Sequence, residues 1–254
     1  MSVPLATSRK RGREHEDEEN SRKGIVTDSR KHRAKMTTNT SIRHVGMHAH
    51  TESEGRRTLD LRGCLPKLIV LDLDKTLWPF YCHEQTTGPY QRHGDEKNAV
   101  KCRTLQGAPT IVRLFPEVLD ILNCLKQEDS IRLAVASRSP VEVAVKGILG
   151  ALGLLSLFCC LEIHRGSKVS HFKQIASVTG VPYRDMVFFD DDKSNIKAVS
   201  QLGTCSVLVG KDTGLTFAVT RLGLKKYREA CSSRSTMRAW LQPAASNYTK
   251  DDVG

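Results

Sequence analysis

Two aspartates one residue apart, Asp72 and Asp74, follow an apolar run in the stretch LPKLIVLDLDKTLWPF, residues 65–80. Alternate residues of an extended chain point the same way, so both carboxylates aim toward one side. Carboxylates that close repel each other unless a cation joins them, and oxygen ligands suit a hard divalent metal. A second acidic group, Asp190-Asp191-Asp192, closes the apolar run Met186–Phe189. Ser137 ends the run from Ile131 to Ala136 and is followed by Arg138, while Lys168 follows Gly166-Ser167 at the start of a helical stretch. Lysine is disfavoured at the positive end of a helix, which favours a functional role there over a solvated first-turn lysine. Carboxylates for a metal, a hydroxyl, a cation and free strand-end amides together make a site for a phosphate group.

These residues converge only if the elements carrying them do. Leu68–Leu71 is an unbroken apolar run of strand length, as expected for a strand buried on both faces of a parallel sheet. Further strands are expected at Ile131–Ala136, Leu157–Ile163, Met186–Phe189 and Cys205–Val209. Between them the spacing predicts helices from Pro116 through Lys126, over Val141–Leu152, from Lys168 to about Val178, over Ser194–Leu202 and over Thr216–Ala230. Strands alternating with helices imply an α/β fold, a doubly wound parallel sheet, whose ligand crevice lies at the carboxyl ends of the strands. The stretch from about Tyr81 to Thr110 is polar and punctuated by Gly88-Pro89, His93-Gly94 and Gly107, and reads as an exposed loop or hairpin over that crevice.

The 254 residues allow one well-buried domain with appendages, and a hydrophobic fraction of 39% is low for that alone. The deficit lies in residues 1–64, which carry few large apolar residues, a basic tract at Arg9–Arg13 and an acidic one at Glu14–Glu19. Such a segment cannot bury enough apolar surface to offset chain entropy and is read as a disordered extension. The domain proper is placed at 65–231 and a polar tail at 232–254. Of the net charge of +11, residues 1–64 hold +5 and the remainder +6, a diffuse excess that suits anionic small substrates and nucleic acid alike. Neither RNA-binding aromatic patterns nor a zinc-ligand set accompanies it, so no nucleic-acid partner is assigned. His44, His48 and His50 lack companion ligands and read as part of a solvated tail. Eight cysteines without a regular framework, no secretory leader and no membrane-length apolar run point to a reducing, cytoplasmic location without structural disulfides. The basic tract adds a possible nuclear address, and the chain is expected to be monomeric.

The segments LDLDKTLWPF, LFPEV, ASRS, GSKVSHF, TGVP and MVFFDDDKSNI, in this order, resemble the motifs of the haloacid dehalogenase superfamily. Within it they are most similar to the small, minimally capped magnesium-dependent phosphatases, over roughly residues 65–210. The resemblance implies a Mg2+-dependent phosphomonoester hydrolase acting on phosphotyrosine or compact sugar phosphates. It casts Asp72 as nucleophile and Asp74 as general acid and base. It gives the metal to the Asp72 carboxylate, the Asp74 carbonyl and Asp191, with Asp190 as that ligand's neighbour, supporting it from behind. Leu73, Asp74, Ser137, Arg138 and Lys168 would contact the phosphoryl group, and Thr76 would shape the turn that delivers Asp74.

Three other readings compete. Cys159 and Arg165 have the spacing of cysteine-based phosphatases, but the bulky, acidic residues between them cannot form a loop of inward-facing amides. A non-enzymatic protein, using the domain and its basic tail to bind a phosphorylated or nucleic-acid partner, is the alternative of another class. For Trp78, Phe80 and Tyr81, stacking on a substrate ring and pinning the turn are both open.

Overall fold

The computed structural model describes residues 57–241, with the side chains of 238–241 outside the description. The basic and acidic tracts and the three tail histidines lie outside it, as does the end of the chain.

β1 (Leu68–Leu71) is fully buried, and its side chains alternate between two apolar layers. Ile69 and Leu71 join Leu133, Val135, Val187 and Phe189 on one face. Leu68 and Val70 join Ala134, Ala136, Phe172, Met186 and Phe188 on the other. A strand lined on both faces has no polar side and must be central, which is why its sequence shows no alternation.

After β1 come α1 (Cys82–Gln85), β2 (Thr87–His93), β3 (Glu96–Arg103), β4 (Pro109–Arg113), α2 (Val118–Lys126) and β5 (Arg132–Ser137). They are followed by α3 (Glu142–Ala151), β6 (Phe158–Ile163), α4 (Lys168–Thr179), β7 (Met186–Asp190), α5 (Lys193–Ser200), β8 (Cys205–Leu208) and α6 (Phe217–Leu241). The main sheet has the order β6-β5-β1-β7-β8, and all its pairs are parallel. The chain leaves β1 toward β5 on one side and toward β7 on the other, so the order reverses beside β1. That reversal opens a crevice at the carboxyl ends of β1, β5 and β7, as expected for the α/β class.

Three features differ from the sequence reading. The insert is more than a loop or hairpin: β2, β3 and β4 form an antiparallel sheet of their own. It packs on α3, where a methyl group on Gly147 would come within 2.4 Å of the Tyr90 ring. Its strands were hidden because Gly88, Pro89, Gly94 and the many charges carry the signature of turns. Second, the last helix continues past Ala230 to Leu241, through residues assigned to a polar tail. Third, the expectation of no disulfide is wrong: Cys64 and Cys231, 167 residues apart, are bonded. Scattered spacing hid the pair, since only folding brings residues 57–65 against α6. Leu59, Leu61 and Leu65 pack on the core there, Arg221 donates to the Thr58 carbonyl at 2.8 Å, and Arg228 donates to that of Asp60. The ordered domain thus reaches back before residue 65.

Candidate active site

The crevice is a cavity of about 260 Å³ lined by residues from all three strand ends. Asp72 and Asp74 follow β1 directly. A tight turn carries the chain on: the Thr76 and Leu77 amides donate to the Leu73 carbonyl, and Lys75 adopts a positive φ of 62°. Trp78 and Phe80 then fold back into the core with stacked rings, their centroids 5.6 Å apart. Both therefore pin the turn, and Tyr81 alone of the three aromatics lines the cavity.

This turn aims Asp74. Trp78 Nε1 donates to Asp74 Oδ1 at 2.7 Å and the Cys82 amide donates to the same oxygen at 3.2 Å, leaving Oδ2 for a proton. Burial is the main cause that pushes the Asp74 carboxyl above the usual carboxylate range, against those two donors. Thr76 is fully buried and its hydroxyl has no hydrogen-bond partner among the described residues.

Lys168 sits at the start of α4, whose cap is the Ser167 side chain accepting from the Ser170 amide. The residue is 2% exposed, and its ammonium lies 2.5 Å from Asp72 Oδ1 and 3.1 Å from Asp190 Oδ2 and also donates to the Ala136 carbonyl. Burial alone would lower its pKa, but the Asp72 and Asp190 carboxylates raise it, so the ammonium stays charged. Burial likewise pushes Asp72 up, to about 7, with Lys168 pulling it down and Asp190 and Asp74 adding repulsion. The Asp72 carboxylate is thus buried beside the Lys168 ammonium and two further carboxylates.

Ser137 ends β5, and its hydroxyl accepts from the Ser139 amide at 3.2 Å. Ser139 is 4% exposed, lines the cavity, and its hydroxyl is orphaned among the described residues. A buried hydroxyl without a partner is costly unless a ligand satisfies it. Arg138 lines the same wall, exposed and without a hydrogen bond or ion pair among the described residues.

The acidic strand end divides its work. Asp190 is fully buried and saturated, accepting from the Asp192 amide at 2.7 Å, from Asn195 Nδ2 on both oxygens at 3.1 Å, and from Lys168. Asp191 faces the cavity, 3.6 Å from Lys211 Nζ, and burial raises its carboxyl. Asp192 caps α5 by accepting from the Ser194 amide at 2.7 Å. Carboxylate oxygens of Asp72, Asp190 and Asp191 lie within 4.8 Å of one another, a hard-oxygen set that fits a divalent cation.

A sequence profile of the acid phosphatase family matches residues 64–230. The chain belongs to that family. Magnesium-dependent phosphatase 1 of Homo sapiens is 36% identical over 166 residues, covering 65% of this chain and 89% of the relative. A HAD-like hydrolase superfamily protein of Schizosaccharomyces pombe is 30% identical over 147 residues, covering 54% and 82%. Among solved structures, a haloacid dehalogenase-like hydrolase of Streptococcus pneumoniae aligns with TM-score 0.43 and 13% identity, covering 68% of this chain and all but 1% of that one. Membership makes this chain a phosphatase of the haloacid dehalogenase type, which decides for an enzyme over a binding module.

Of the site residues expected from the sequence, Asp72, Asp74, Ser137, Arg138, Lys168 and Asp191 line the crevice, while Leu73, Thr76 and Asp190 are buried and do not line it. Cys159 is exposed on β6 and lines no part of it. Sequence reasoning missed His83, Ser139, Asn195 and Lys211, all lining residues. Asn195 and Ser139 were accessible to it, since each stands beside a motif residue already chosen. His83 and Lys211 stand in segments without any local signal, and only tertiary contact places them here.

Proposed function

We propose that this enzyme hydrolyses phosphomonoesters through an aspartyl-phosphate on Asp72, acting on phosphotyrosine or small sugar phosphates. The observation that carries the reading is the Asp72–Lys168 contact inside a cavity that also receives Ser137, Ser139 and Asp74. Asp72 attacks phosphorus opposite the leaving oxygen; an O–P bond forms to the carboxylate while the ester O–P bond breaks. Asp74 gives its proton to the departing oxygen, a task suited to a carboxyl whose pKa burial has raised. Water then attacks the phosphorus of the aspartyl-phosphate and Asp74 takes its proton, releasing inorganic phosphate and restoring Asp72. Lys168 balances charge between Asp72 and the phosphoryl oxygens, and the Ser137 hydroxyl with the Leu73, Asp74 and Arg138 amides supplies donors to those oxygens.

Magnesium is the cofactor. Asp72, the Asp74 carbonyl and Asp191 would hold it, with Asp190 turned to its amide and lysine partners behind them. When bound it supplies positive charge that offsets the phosphoryl oxygens. The human relative's name supports the choice of metal, and so does the three-carboxylate cluster.

The cavity is compact and open, and the Tyr81 and His83 rings in its lining, with centroids 6.2 Å apart, offer a face to a phenyl or sugar ring. Low selectivity between such esters is the expected behaviour. The test is hydrolysis of p-nitrophenyl phosphate by the full chain with Mg2+, with EDTA, and in Asp72→Asn. Activity that needs Mg2+, is lost in the variant and survives thiol alkylation is expected; turnover by Asp72→Asn at the wild-type rate sinks the reading.

A further inference from the structure

His171 is fully buried, and the chemistry above gives it no task. It stands three residues after Lys168 on α4, so both side chains leave the same face of the helix, Lys168 toward the end of β5 and His171 toward the residue after β6. Lys168 reaches the Ala136 carbonyl of β5. His171 Nε2 lies 3.1 Å from the His164 carbonyl, which can only accept, so Nε2 carries the ring proton. His164 in turn donates its amide to the Ser137 carbonyl at 3.2 Å, and the Ser137 hydroxyl accepts from the Ser139 amide. Three hydrogen bonds, joined through the covalent frames of His164 and Ser137, therefore link the His171 ring to the turn that walls the cavity.

A histidine is a costly way to fill this space. Its Nδ1 is buried without a partner among the described residues, a penalty that an apolar ring of similar size would avoid. The ring plane is fixed by the edge-on His164 ring, centroids 4.2 Å apart at 76°. Burial also keeps the ring neutral, its pKa lowered to about 4, so the Nε2 donor persists across the physiological range.

We propose that His171 is a positioning residue for the phosphate-binding turn: its Nε2–H fixes the His164 peptide, which fixes the Ser137 carbonyl and hence the Ser137–Ser139 donors relative to Asp72. The inference rests on the phosphoryl-binding role given to Ser137. Without the ring donor the fold survives, but the donors no longer meet the phosphoryl oxygens at fixed distance.

The experiment compares His171→Phe, His171→Gln and Ser137→Ala in the full chain. It reads inhibition by inorganic phosphate, kcat/KM for p-nitrophenyl phosphate, and the Mg2+ concentration for half-activation. His171→Phe should weaken phosphate inhibition and lower kcat/KM about tenfold, with half-activation by Mg2+ unchanged. His171→Gln, whose side-chain amide can still donate to the His164 carbonyl, should recover to within about threefold. Equal behaviour of the two variants, or unchanged phosphate inhibition in His171→Phe, overturns the proposal alone when Ser137→Ala is impaired. An unimpaired Ser137→Ala removes the role of Ser137 itself, and the proposal with it. Should the substitutions unfold the domain, imidazole nitrogen NMR of the wild type decides. A slowly exchanging Nε2 proton that shifts when phosphate is added supports the proposal, and an Nδ1-protonated or freely exchanging ring overturns it.

Discussion

At the scale of single residues, the site sets a buried carboxylate against a buried ammonium and leaves room for one more cation. With Asp72 as the proposed nucleophile, Asp72→Asn should cost at least about a thousandfold in kcat, measured under saturating Mg2+. Trp78 has a subtler effect, because its Nε1–H orients Asp74 rather than touching substrate. Trp78→Phe should slow an alkyl phosphate, which needs a proton on its leaving oxygen, by about tenfold. It should slow p-nitrophenyl phosphate, whose leaving group departs unprotonated, by less than about threefold. Equal losses on both substrates would refute this. His171 also makes a prediction about pH. Its pKa falls from an ordinary 6.5 to about 4 on folding, so at intermediate pH the unfolded chain binds more protons. Its contribution to stability is therefore present above 6.5 and lost as pH falls toward 4, about 3 kcal/mol at most over that interval. Denaturant titrations at pH 7 and pH 4.5 should show a smaller difference for His171→Phe than for wild type.

The elements are held by close approaches that tolerate no added carbon. On α6, a methyl group on Gly223 would sit 2.5 Å from the Phe189 ring of β7. Phe189 lies one residue before Asp190, so that contact seats the strand end carrying the acidic cluster. Gly223→Ala should destabilise the domain by about 1–3 kcal/mol, because ring and helix must part. Gly147→Ala acts elsewhere: it would push Tyr90 and the β2–β4 sheet off α3, and neither Gly147 nor Tyr90 lines the cavity. Its melting temperature should drop while kcat on p-nitrophenyl phosphate stays within about twofold, since neither residue at the contact lines the cavity. A large loss of kcat would show that the small sheet reaches the chemistry after all.

For the whole molecule, the Cys64–Cys231 bond ties the entry to β1 to the last helix, closing a long loop around the entire sheet. Cys64→Ser should lower stability by about 2–4 kcal/mol, read as a lower denaturation midpoint. The same change should follow from adding reductant to the wild type, and the active site, at the other end of β1, should keep its kcat. The described residues include no helix long and apolar enough to cross a membrane.

Much of this was written in the chain's own order. Hydrophobic runs of strand length alternating with amphipathic stretches specify a parallel sheet, because only buried strands can be apolar on both faces. Polar residues at the ends of those runs, Asp72, Ser137 and Asp190, then had to meet, since such sheets gather their strand ends at one crevice. Lys168 was visible as a lysine in a place helices disfavour. What the sequence could not decide are relations without local cause. Asp191 rather than Asp190 faces the cavity because Asn195, the Asp192 amide and Lys168 saturate Asp190 first. Trp78 aims Asp74 because the turn folds its ring inward. His83 and Lys211 reach the site, and Cys64 meets Cys231, only when segments far apart in the chain are packed together. Spacing along a chain fixes which way neighbours point, whereas contacts between distant segments depend on how whole layers seat against each other.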